Sequence, residues 1–150
     1  MTLISLLGKR LKDEEVLQLL DEYQIDDVVY AFDRLHEGTD DEYWAKSKDA
    51  GFALRFNYAQ VLETVFCYSS SIDGFSTVDA TLVGAPFFGS IQDAEKAAEL
   101  AGARHSSGYA DIPLLGLKTS WVKLESHEAC VHYEFRDGQL ALVTLSQPTA

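Results

Sequence analysis

The 150-residue chain has the length of one compact domain, or of two small repeats packed closely together. With 47% hydrophobic residues, 11% aromatic residues and three prolines, it has ample material for a core, and a disordered chain is excluded. Its formal charge of −12, from 12 basic and 24 acidic residues, argues against direct nucleic-acid binding, because phosphate contacts need Lys and Arg.

Taken from the start, MTLISLLGKRLKDEE is a short apolar segment followed at once by charges, without a signal-peptide cleavage pattern. No run reaches the roughly 18 apolar residues that a spanning helix needs, so no membrane association is expected and cytoplasmic residence follows. Val16, Leu19, Leu20 and Tyr23 fall at i, i+3, i+4 and i+7. This spacing predicts a helix with Glu14, Glu15, Asp21 and Glu22 on its outer face and Asp13 as N-cap. Asp27–Phe32 reads as a strand. Residues 13–42 hold 12 carboxylates and one cation, Arg34, a local charge of −11. A solvated acidic face is the ordinary reading of such a run. Its concentration into a fifth of the chain favours a cationic partner that relieves the mutual repulsion.

Beyond it lies an internal repeat with a spacing of 77 residues, which pairs Trp44 with Trp121, Lys46 with Lys123, Leu54 with Val131 and Phe56 with Tyr133. Strands are expected at Trp44–Lys46, Phe52–Phe56 and Val61–Tyr68, and again at Trp121–Lys123, Ala129–Tyr133 and Leu140–Ser146. Their equivalent positions point the two tryptophans toward a packing role. Asn57–Gln60 reads as the turn of the first hairpin, and Asp137-Gly138 as a two-residue type I′ turn in the second. Ser69–Phe75 is polar and Gly-containing, so it reads as a loop near the boundary between copies. Ser90 and Asp93 have capping-box spacing ahead of a stripe formed by Ala94, Ala97, Ala98 and Ala101, and Gly102 follows as C-cap. The expected fold is α+β, with two tandem repeats, 1–75 and 76–150, each a helix followed by antiparallel strands, packed as one compact unit.

Signs of chemistry are weak. Gly84–Ser90 (GAPFFGS) has P-loop glycine spacing but places Ser90 where the phosphate-binding lysine belongs, so it reads as a turn into a helix. His127 and His132 are five apart, a separation that sends strand side chains to opposite faces, and neither His36 nor His105 has a ligand pattern beside it. Cys67 and Cys130 form no CxxC, have no adjacent base and fit as small core residues. No GxSxG elbow is present. Neither enzyme activity, nor a cofactor, nor a metal is therefore expected.

The segment Gly84–Ala94, the strand Trp121–Leu124 and the closing hairpin Val131–Leu145 resemble small bacterial immunity proteins encoded beside polymorphic toxins. The tandem helix-plus-sheet unit is also similar to the secreted β-lactamase inhibitor protein, although the chain lacks that protein's signal peptide and disulfide pattern. The resemblance implies an immunity protein that neutralises a cognate toxin by tight non-covalent occlusion. The acidic charge then implies a basic toxin, such as a nuclease, with Asp26, Asp27, Glu37, Asp40, Asp41, Glu42 and Tyr43 as the partner-binding residues. The alternative is an adaptor or chaperone-like module that holds a secreted effector through an apolar sheet face.

Overall fold

A computed structural model describes residues 1–32, 38, 40–112, 114 and 116–148. The chain is an α+β protein built on one eight-stranded antiparallel sheet. After a short 3-10 turn at Ile4–Leu6, it forms α1 (Glu14–Glu22), β1 (Val29–Ala31), β2 (Glu42–Ser47), β3 (Phe52–Phe56) and β4 (Leu62–Tyr68). There follow α2 (Ala80–Val83), α3 (Ile91–Ala101), β5 (Arg104–Ile112), β6 (Leu117–Glu125), β7 (Cys130–Arg136) and β8 (Gln139–Ser146). The strand order is β1-β2-β3-β4-β8-β7-β6-β5, so β4 and β8 meet in the middle while β1 and β5 form the edges.

Period-two alternation gives the sheet two unlike faces. One carries Ala45, Phe52, Leu54, Phe56, Leu62, Val65, Cys67, Val122, Tyr133, Phe135, Val143 and Leu145. Against it pack Val16, Leu19 and Leu20 of α1, Val83 of α2 and Ala94 of α3, so the α-helices among the described residues lie on that side. Burial of this apolar face, at roughly 25 cal/mol per Å², is what holds the helices to the sheet. Tyr23, at the end of α1, sets its ring at 90° to that of Phe52 with centroids 5.2 Å apart.

Local chemistry accounts for most junctions. Ser90 Oγ accepts the Asp93 N–H at 3.2 Å and Gly102 closes α3 in the left-handed region, as the capping pattern predicts. Asp137 and Gly138 both have positive φ, as a type I′ turn requires. Asn57 Oδ1 accepts the N–H groups of Ala59 and Val61, which shapes the first hairpin turn. Asp13 does occupy the N-cap position of α1, yet its carboxylate turns back to accept the Arg10 N–H at 2.8 Å and makes no side-chain cap bond.

GAPFFGS is a structural loop. Tyr133, buried on β7, donates its hydroxyl to the Pro86 carbonyl at 2.7 Å, and its ring meets Phe88 edge-on at 5.1 Å. Both cysteines are buried on strands, and burial pushes the Cys67 thiol up to about 12. The one strand not expected from sequence is β5, whose residues RHSSGYADI lack apolar alternation. An edge strand with exposed side chains has little apolar pattern to display.

Candidate functional site: the open sheet face and its acidic rim

The face turned away from the helices carries side chains that are mostly half-buried, with Thr64 buried among them. Registers across the sheet align Trp44 with Arg55, Arg55 with Thr64, Phe66 with Thr144, Thr144 with His132, and Glu134 with both Trp121 and Leu142. Two aromatic stacks stand on this face. Trp44 lies at 17° to Phe66 with centroids 5.6 Å apart, and Trp121 at 20° to His132 at 5.5 Å. Five strand spacings separate β2 from β6, roughly 24 Å, so the stacks mark two well-separated points on one surface. The tryptophans do pack, but on the open face rather than in the core. Gly108 of β5 makes room for the second stack, because a Cβ there would sit 2.9 Å from the Trp121 indole nitrogen.

Cations on this face are largely matched. Arg55 lies 3.9 Å from Glu42 and 3.7 Å from Glu63, and donates to Thr64 Oγ1 at 2.9 Å. Arg136 pairs with Glu134 at 3.0 Å, while Glu125 takes both Arg104 at 3.2 Å and Lys123 at 3.6 Å. Lys46 Nζ sits 5.0 Å above the Trp44 ring.

The acidic stretch is different. Of its described carboxylates, only Glu15, 3.7 Å from Lys9, and Glu42 form ion pairs. Asp40, Asp41 and Glu42 come together with Arg55 and Glu63 around a pocket of about 480 Å³ at one end of β1 and β2. At the other end, Asp27 lines a smaller hollow of about 270 Å³ with Val29, Trp44 and Lys46, and Asp26 beside it is exposed. Carboxylates therefore flank Trp44 from both ends of the outermost strands. Trp44 itself donates its indole N–H to Glu42 at 3.1 Å.

The sequence-selected residues thus do not form a single patch. Strand alternation sends Glu42 and Trp44 to the open face and Tyr43 to the other, where it packs partly buried against the core with its ring 5.1 Å from Tyr30. Tyr30 donates its hydroxyl to Asp41 at 2.5 Å, a bond that holds the phenol above its ordinary pKa. Glu37 lies outside the described residues. Sequence reasoning missed Arg55, Glu63 and the ring partners Phe66 and His132. Their only signal was parity within strands whose pairing was unknown.

His132 stands half-buried on this face against the Trp121 ring. Burial lowers its pKa and nearby Lys123 adds to the effect, while Glu134 opposes it. Because the folded value lies below the ordinary 6.5, the stabilisation associated with neutral His132 is complete above that pH and is lost as the pH falls through the folded value. The urea midpoint should drop across that window, and His132→Phe should flatten the drop; equal pH dependence in both proteins would contradict the assignment.

Among the described residues no group of three or more His, Cys, Asp or Glu side chains is placed to hold a metal ion, and no helix is long and apolar enough to cross a membrane. Comparison with protein-family models, curated proteins and solved structures found no match to this chain.

Proposed function

We propose that the chain is an immunity protein that binds a cognate toxin in the cytoplasm and occludes its active or substrate-binding surface. The toxin is a basic protein, a nuclease above all. One observation carries the reading: carboxylates without cationic partners flank an open sheet face that presents two aromatic stacks. Negative potential at the β1 end steers a cationic surface inward, and the half-buried rings supply contact area on arrival. A basic nuclease surface matches this because it is built to receive phosphate, with which a carboxylate rim competes.

The same reading takes the chain as two tandem units. In support, α1 precedes β1–β4 and α3 precedes β5–β8, while the strand order runs symmetrically outward from the β4–β8 junction. Trp44 and Trp121 both sit on the second strand of their unit, each two residues before a lysine. The ring partners are not equivalent, since Phe66 comes from a fourth strand and His132 from a third.

The test is co-expression with the toxin encoded beside this gene. Restored growth and a co-purifying complex are expected, and unrelieved toxicity with no complex counts against the reading. Reversal of Asp26, Asp27, Asp40 and Asp41 to Lys should slow association about tenfold or more at low salt. Unchanged association in the reversed protein would remove the steering role. The adaptor reading draws on the aromatic face alone, and predicts association that barely responds to ionic strength.

A further inference from the structure

The two edges of the sheet are unequally protected. A row of unpaired N–H and C=O groups is a template for another strand, and soluble proteins blunt it with short strands, lysines, prolines or bulges. β1 is only three residues long. β5 runs for nine residues and pairs with β6 at every one of them without a shift, whereas register shifts interrupt β3–β4 and β7–β8. It contains no lysine and no proline. Among the described residues, no backbone hydrogen bond from outside the sheet reaches 104–112. Its side chains from 104 to 110 are exposed apart from half-buried Gly108, and Tyr109 is 84% exposed.

Charge selects the occupant. The carboxylates of Asp27, Asp40, Asp41 and Glu42 lie at β1 and β2, six to seven strand spacings or roughly 29–34 Å from β5, so two copies joined through β5 hold these clusters far apart. At the start of β5, Arg104 is matched within its own chain by Glu125 at 3.2 Å, so the strand brings no uncompensated cation to the seam. An antiparallel pairing is self-complementary, each contact occurring twice by symmetry. In the middle of the strand, Ser106, Ser107 and Gly108 are small enough to admit a neighbouring strand. We infer that two copies of this chain pair antiparallel through β5, continuing the sheet across a two-fold axis near Gly108. The dimer leaves the open face and the acidic rim accessible, so it stands independently of the toxin-binding reading.

Sedimentation equilibrium of the full chain over a wide concentration range tests this. The mass should rise reversibly from 16.6 kDa toward twice that value. Ser107→Lys, which sets like charges near one another across the axis, should hold the mass at one chain without altering the circular dichroism spectrum. Amides at 104–110 should exchange more slowly in concentrated than in dilute wild-type protein. A single-chain mass at every concentration overturns the inference, as does a dimer that survives Ser107→Lys. Should Ser107→Lys fail to fold, amide exchange at 104–110 that does not depend on concentration overturns it instead.

Discussion

Replacing Trp44 and Trp121 with Ala should each weaken binding of the proposed toxin by about 2 kcal/mol, roughly 30-fold in Kd, while leaving the chain folded. The expectation rests on where the rings lie. Both are half-buried on the open face, outside the buried cluster that joins helices to sheet, so their removal takes away contact surface without opening the core. Trp44 has the larger supporting constellation, with Phe66 stacked beside it, Lys46 above and Glu42 accepting its indole N–H. Leu100→Ala is the natural control, because Leu100 is 81% exposed on α3, on the helix side. Calorimetric titration of the four proteins checks the ranking. Equal affinities for the wild type and both tryptophan variants would show that the partner docks elsewhere.

The largest stability effect is expected at Gly51. Its φ is +78°, and a Cβ there would stand 2.2 Å from the Ser76 carbonyl oxygen and 2.6 Å from the Val78 nitrogen. Both are backbone atoms of the segment that crosses the β2–β3 turn, held by the Ser76 N–H on the Lys48 carbonyl and the Val78 N–H on the Tyr68 carbonyl. Gly51→Ala must therefore adopt a disfavoured backbone conformation and also push that segment away, at a cost on the order of 3 kcal/mol or more. Gly102→Ala separates the two contributions. Gly102 has φ +63° with nothing within 4 Å of the added carbon, so it should lose only about 1 kcal/mol. Urea unfolding of the pair measures the difference, and equal losses would mean that the Ser76–Val78 segment yields easily.

Much of this architecture could be read from the residues. Helical spacing located α1, the Ser90 and Gly102 caps bounded α3, and Asp137-Gly138 fixed the closing hairpin, because each is a local signal decided by neighbours in the chain. Strand order is not local. Nothing in the sequence says that β4 pairs with β8, and without that pairing the spatial relation between Trp44 and Trp121 cannot be drawn. β5 escaped for a related reason, since an edge strand with exposed side chains need not alternate. The acidic stretch was legible as charge but not as geometry. Parity within β2 divides Glu42 from Tyr43, and only the register with β3 and β4 brings Arg55 and Glu63 toward Asp40 and Asp41.

Because Trp44 and Trp121 are the only tryptophans, replacing them with 5-fluorotryptophan puts one fluorine reporter at each stack on the open face. In the fluorine NMR spectrum of the labelled chain, both resonances should shift or broaden on addition of the proposed toxin partner, unlabelled, the Trp44 signal in step with the acidic rim's engagement. Formation of a stable complex with both resonances unmoved would place the contact away from this face and contradict the account.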